Sequence, residues 1–404
     1  MNKKKQSVII FTVLLILCLF VFTACNKQEM VNLQEYVNNG NDNLNLIGKL
    51  VKAMHGWIGS YGWTVVAFTV ALKLIMIPFD LWQRTSTKKN SVKMAKIQPL
   101  LDNIDKKYGA NTQKANEEKQ KLYKKQSVST LASCLPMIVT MAIFIFMFGG
   151  LNNYATYNNV MNYSKLQNFY TAELKKAEAD QAVTDQYQLE YTNGTYTGTL
   201  KDYCVDVASK GAVIENSTNT YIGIANYYNS DVKEEFLWMQ SIWQPDTWDS
   251  IMPDYQKFSK TVDIGGSNPE REYNLIRNEV LKTGVRGEKG GWNGLMILPL
   301  LSVGLSFASM YITQSMEKKG KNGQDVPQSQ QQAQSNKMMM FMMPAMMAIF
   351  GFMYTGAFAV YMVCNYTLSI LLSVIIKKPV DKMVEKQLLK EELKEGSSTA
   401  SYKR

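Results

Sequence analysis

Apolar residues gather into six runs, near 8–24, 58–79, 130–150, 292–313, 338–354 and 356–376. A bilayer core about 30 Å thick needs roughly 20 mostly apolar residues in a helix. The last five runs meet or approach that length, and each predicts a spanning helix. Between 83 and 128, Ile97, Leu100, Leu101, Ile104 and Tyr108 recur at helical spacing and predict one face of a helix. Tyr108-Gly109-Ala110-Asn111 punctuates it, and a more charged helix follows through Glu117 to Lys125. This segment reads as a helical hairpin. The long polar segment 152–291 contains alternating stretches such as 186–205, which predict strands. The expected fold is an all-α polytopic membrane protein. It has a five-helix transmembrane bundle, a cytoplasmic helical hairpin and a small extracytoplasmic α+β insertion.

Composition refines this picture only where it is resolved along the chain. The mean hydropathy of −0.18 would describe a soluble protein, but it averages apolar spans with a polar remainder. A single His among 404 residues argues against His-rich metal sites and against Ser-His-Asp or Cys-His catalysis. Of five Cys, Cys18, Cys134 and Cys364 lie in apolar runs, and Cys204 stands alone in the long polar segment. No C-x-x-C spacing, P-loop, H-E-x-x-H or G-x-S-x-G is present. The sequence gives no sign of an enzyme and calls for no cofactor or metal.

The first run differs from the others. Lys3, Lys4 and Lys5 precede a short apolar core, and Phe22-Thr23-Ala24-Cys25 leads into polar Asn26-Lys27-Gln28. This is the pattern of a secretory signal over 1–24. Thr-Ala-Cys resembles a bacterial lipobox, in which Cys25 would be acylated and become the N-terminus. Phe22 departs from the usual Leu, Val or Ile. The alternative is an uncleaved anchor with an incidental Cys.

Charge sets the expected topology. Segment 83–128 holds twelve Lys/Arg against four Asp/Glu, 315–337 four against two, and 377–404 eight against five. Segment 152–290 holds thirteen against nineteen. Lys/Arg excess marks the cytoplasmic side. An external N-terminal segment 25–57, followed by five spans (58–82, 129–151, 292–314, 338–354 and 356–376), puts all three basic segments inside and 152–291 outside. Near the end of that loop, Trp238 and Trp243 before Pro245 read as anchors along the outer interface.

Lys73 breaks the apolar pattern. It lies in Val70-Ala71-Leu72-Lys73-Leu74-Ile75-Met76-Ile77-Pro78. A cation in the middle of a span costs roughly 2.5–3.5 kcal/mol on insertion scales. Snorkelling to the cytoplasmic interface is one account. The other is a water-filled groove, lined also by Thr140, Ser302, Ser306, Ser309, Gln314 and Asn365. No acidic residue lies centrally in any span, so Lys73 has no evident intramembrane partner.

These residues resemble the YidC family of membrane protein insertases. Lys73 stands five positions before Pro78, where the family usually has Arg. Leu122-Tyr123-Lys124-Lys125 and Leu131-Ala132-Ser133-Cys134-Leu135-Pro136 are similar to its entry into the second span. Met338 to Pro344 and Gly356 to Asn365, with Tyr361, are similar to the last two spans. Departures are Ser133 for Gly, Thr140 for Gln, Ala142 for Pro, Thr355 for Pro, Met362 for Trp and Leu371 for Gln. Most of 152–235 has no counterpart in the resemblance.

The resemblance implies an insertase and chaperone that works without nucleotide hydrolysis in a bacterial plasma membrane. A hydrophilic groove, open to cytoplasm and lipid, would receive nascent membrane proteins; its residues here would be Lys73, Thr140, Ser302, Ser306, Gln314, Tyr361 and Asn365. Expected partners are nascent membrane proteins and the lipid bilayer, with ribosome and Sec translocon as further candidates and no sequence-specific nucleic acid. The Met run from Met338 to Met347 reads as bundle packing or as a slide for substrate helices. The tail lysines from Lys377 to Lys394 read as positive-inside anchors or ribosome contacts. Alternative functions are a small-molecule or anion transporter, and an anchored lipoprotein acting through its external domain.

Overall fold

The computed structural model describes residues 31–108, 112–126, 128, 131–284, 292–318, 345, 348–349 and 351–401, with 112, 131–141, 316–318, 392 and 394–401 described in backbone alone. The signal segment, Cys25, most of 315–337 and the methionines from Met338 to Met347 lie outside the described residues, and so does the side chain of Thr140.

Among the described residues, four long helices organise the fold. α3 (Tyr61–Tyr108) is a single helix of 48 residues containing Pro78 and Pro99. It therefore joins the first expected span to the first arm of the hairpin without a break. Helix α4 (Thr112–Lys125) packs back on it. Met94, Ile97, Leu101 and Val128 form a small core there with Leu122 and Tyr123. Leu100, expected on the same face, is 47% exposed. α5 (Leu131–Ala179) runs for 49 residues, well past the expected end of the second span. α11 (Ile297–Lys318) and α12 (Gly356–Ser401) complete the set. Helix α12 packs along α3 and α11, while α3 also meets α5 and α11. Among the described residues, three helices are long and apolar enough to cross a membrane, within Tyr61–Tyr108, Ile297–Ser315 and Gly356–Glu391.

The chain before α3 contributes β1 (Val31–Asn32) and two short helices, α1 (Leu33–Asn39) and α2 (Leu46–Ile58). Asn45 caps α2 by accepting from the Gly48 N–H at 2.8 Å. Gly59, at φ 79°, ends α2 in the left-handed region that glycine occupies without strain, and turns the chain into α3. β1 pairs in parallel with β2 (Val262–Asp263), Val31 opposite Val262.

The expected strands in 186–205 do not form. α6 (Gln181–Thr192) and α7 (Leu200–Lys210) occupy that stretch, followed by α8 (Gly223–Tyr227), α9 (Tyr255–Phe258) and α10 (Pro269–Leu281). The insertion is therefore helical, with β1–β2 and isolated bridges as the β structure among the described residues. Two caps explain the outcome. Asp180 accepts from the Ala182 N–H and starts α6. Thr199 and Asp202 form a reciprocal capping box on α7. Buried Val183 and Tyr187, then Tyr203, Cys204 and Val207, follow helical spacing into a core separate from the main one.

Candidate functional site

Residues 236–246 plug one end of the helix cluster. A helix start leaves backbone N–H groups without intrahelical acceptors. At α12, Gly356 N donates to Gln244 O at 2.7 Å and Ala357 N to Ile242 O at 3.3 Å. Asp246, fully buried, accepts from Trp238 Nε1 at 3.1 Å and Leu295 N at 2.9 Å, and through its other oxygen from Leu298 N at 2.8 Å. It thus places a carboxylate at the start of α11, where the helix dipole favours it. Buried Asn293 donates to the carbonyls of Ser241, Gln244 and Pro245 and accepts from Ser241 N. Trp243 is 3% exposed and stacks on Tyr61 with ring centroids 4.3 Å apart. The two Trp therefore point inward, and the expected interfacial anchor is a packed plug. Glu234 ties it to α2 and α3: its Oε1 accepts from Tyr61 N at 2.6 Å and lies 3.1 Å from His55 Nε2.

Further along α3 the chemistry changes. Lys73 lies at the edge of the packed face formed by Val65, Phe68, Thr69 and Leu72, with Leu74 and Ile75 turned outward. Its Nζ is 3.1 Å from Asp80 Oδ2, and the two side chains are 15% and 17% exposed. A separation of seven residues is two helical turns, so both groups share one side of α3. Sequence reading missed this partner because Asp80 closes the apolar run rather than interrupting it. The Lys73 stem leans toward that end, as snorkelling predicts, but the ammonium stops at a half-buried carboxylate. The Asp80 oxygen lies off the line of a directed hydrogen bond, so the contact is coulombic. The Gln83 Oε1, one turn on, is also buried without a donor.

The other expected residues sit on helices packed against α3. Ser302, Ser306 and Ser309 fall at i, i+4 and i+7 of α11 and are all buried. The Ser302 and Ser306 hydroxyls donate at 2.8 Å to the carbonyls of Pro299 and Val303 in their own helix. The stripe is small as well as polar, which lets neighbouring helices approach closely. Tyr361 is buried in the first turns of α12, and Asn365 is half-buried one turn further. Gln314 is half-buried near the end of α11.

A second feature that sequence reading missed joins α12 to α3 beyond the apolar runs. Ile376, Val380 and Val384 pack with Leu81, Leu372 and Leu388. Lys88 contacts Asp381, and Glu391 takes both Lys89 at 2.6 Å and Lys93 at 2.9 Å. Asp381 and Glu391 of the basic tail thus fasten it to the hairpin arm.

The profile of the 60Kd inner membrane protein family matches residues 53–199 and 218–385, well over half of the chain. The chain belongs to this family, that of the YidC insertases. Among curated relatives, the membrane protein insertase YidC of Caldanaerobacter subterraneus subsp. tengcongensis is 34% identical over 112 residues, 28% of this chain and 52% of that protein. That of Cupriavidus necator is 33% identical over 99 residues, 24% of this chain and 17% of that protein. That of Cellvibrio japonicus is 32% identical over 98 residues, with the same two shares. The chain thus spans about half the length of the first relative and much less of the others. Membership in this bacterial family, with three apolar helices of spanning length, makes it an all-α membrane protein. The unmatched 200–217 holds all of α7 and the turn after it, within the separate small core.

Proposed function

We propose that this protein inserts nascent membrane proteins into the bacterial plasma membrane without nucleotide hydrolysis. Five spans enclose a hydrophilic groove that opens to cytoplasm and lipid. The N-terminus lies outside, anchored through acylated Cys25, and the hairpin and tail lie inside, near ribosome and Sec translocon. Lys73, Thr140, Ser302, Ser306, Gln314, Tyr361 and Asn365 line the groove.

The observation that carries this reading is the pair that Lys73, within the apolar stretch of α3, makes with Asp80 at its end, in a chain from the insertase family. Asp80 is the resident counter-ion. An acidic group on a substrate exchanges for it, so Lys73 never loses a carboxylate during transfer and the desolvation cost of a lone charge is avoided. At 4 Å and an effective dielectric of 20, the attraction is about 4 kcal/mol before desolvation. The plug at 236–246 supports a groove closed on the outside. The substrate's apolar helix then partitions into lipid, which drives its exit.

Complementation in an insertase-depleted bacterium tests the reading. Lys73→Arg is expected to support insertion of substrates with acidic translocated tails, and Lys73→Ala to impair it. Full complementation by Lys73→Ala would return Lys73 to the snorkelling account.

A further inference from the structure

Lys89 and Lys93 stand one helical turn apart on the hairpin arm of α3, so both ammonium groups reach the same side of it. Between them they hold a single carboxylate. Glu391 Oε1 lies 2.6 Å from Lys89 Nζ, and Oε2 lies 2.9 Å from Lys93 Nζ. Two ammonium groups that grip the two oxygens of one carboxylate make a carboxylate-binding site, and the chain's own tail fills it. The lysine side chains are 23% and 20% exposed under this cover.

The cover is loosely held. Apolar packing of α12 on α3 comes from Ile376, Val380 and Val384 with Leu81, Leu372 and Leu388. Leu388 lies about one turn before Glu391, and Leu389 and Leu393 turn outward, 48% and 67% exposed. Part-exposed ion pairs add little to stability and are screened by salt. Helix ends open locally at small cost. Fraying of the last turns of α12 would uncover both lysines and leave the apolar cluster in place.

We propose that Lys89 and Lys93 form a receiving site for acidic residues of an incoming polypeptide, and that Glu391 occupies it at rest as an internal stand-in. Exchange of one carboxylate for another leaves neither lysine unpaired. A polypeptide can also lie along α3 where the tail lay. A nucleic acid is disfavoured, because the adjacent Lys88 already has Asp381, whose carboxylate would repel a phosphate backbone. The source of the incoming chain rests on the insertase reading. The site itself does not, and it lies roughly 24 Å along α3 from Lys73.

The test is fluorescence anisotropy with the full-length protein in phosphatidylcholine nanodiscs at low salt. The probe is a labelled peptide of serine and glutamate, compared with its serine–glutamine counterpart. The acidic peptide should bind and the counterpart should not. Glu391→Gln removes the internal competitor and should tighten binding about fivefold, the worth of two exposed ion pairs and a gain that misfolding cannot mimic. Lys89→Gln/Lys93→Gln should reduce binding to the level of the counterpart, and adding Glu391→Gln to it should change nothing. Glu117→Gln removes the same charge from exposed α4, and Lys382→Gln/Lys386→Gln removes two cations from the exposed face of α12; both should leave the affinity unchanged. Equal tightening by Glu117→Gln, or undiminished binding without Lys89 and Lys93, would overturn the proposal. So would tighter binding of a uridine oligonucleotide through the same two lysines. Lys73→Ala should bind the peptide like the parent. Loss of binding there, with none in the Lys89/Lys93 pair, would place the peptide in the groove, keep the insertase reading and remove this site.

Discussion

The Asp246–Asn293 network of the plug and the middle of α3 both bury charged or polar groups, and they treat them in opposite ways; elsewhere in the plug the Trp243 indole N–H is buried without an acceptor. Every hydrogen-bonding atom of the Asp246 carboxylate and the Asn293 amide has a close partner. A network satisfied to this degree fixes one geometry. In α3, Lys73 and Asp80 share a single coulombic contact, and Gln83 Oε1 has no donor. Buried groups left short of partners raise the energy of the resting state and stand ready for others. The first arrangement holds helix ends together. The second is suited to exchange.

The largest effect should come from emptying the satisfied network. Asp246→Ala strands two backbone N–H groups and the Trp238 indole, at about 1–3 kcal/mol for each buried donor. The variant should unfold far below the parent in a detergent thermal melt. A Tm within a few degrees would mean that the plug is not the brace described.

Next comes the pair in α3. Lys73→Ala leaves Asp80 alone, at a cost of about 3–5 kcal/mol. Lys73→Ala/Asp80→Asn should recover membrane accumulation while insertion of acidic-tailed substrates stays impaired. If insertion returned with stability, the pair would be structural and the contrast with the plug would vanish.

A smaller effect is expected where α3 meets the plug. A Cβ on Gly62 would overlap the Phe236 ring. Gly62→Ala should destabilise by about 2 kcal/mol through overpacking, and Phe236→Ala in the same chain should restore part of it in a double-mutant cycle of thermal melts.

The smallest effect lies in the helical insertion. The Asp180 carboxyl accepts from Ser217 Oγ, Asn219 Nδ2, Tyr221 OH and Ala182 N. These bonds, that from Ser217 first, pull its pKa down from 3.8 to about 2. Its stabilising contribution is therefore complete above about pH 4 and is lost as pH falls through 2. Hydrogen exchange at α6 and 214–221 should rise over that window and not over the same window in Asp180→Asn. A parent without the acid-dependent rise would show that the carboxylate does not hold this corner.

The apolar runs made the long helices legible, because a bilayer imposes a length that composition cannot hide. Their ends were less legible. α3 passes through Pro78 and Pro99, and α5 continues to Ala179, because packed neighbours support helix where local signals predict a stop. In 186–205, alternating residues around Tyr187 and Leu189 resembled a strand, while Asp180 and the Thr199/Asp202 box already announced helix starts. Lys73 stood out as the one cation inside an apolar run. Asp80 did not, because an acidic residue at the end of a run is ordinary until its side chain is seen to fold back. The pairing of Glu391 with Lys89 and Lys93 joins residues some 300 positions apart, and nothing local signals it.

The central claim is that Lys73 exchanges Asp80 for a substrate carboxylate. Zero-length carbodiimide coupling of the Lys73 amine to a stalled nascent chain tests it with the native side chain in place. The account predicts an amide between Lys73 and the acidic residue of the translocated segment, absent when that residue is changed to its amide. Coupling of Lys73 to Asp80 alone, while the acidic chain still inserts, would contradict it.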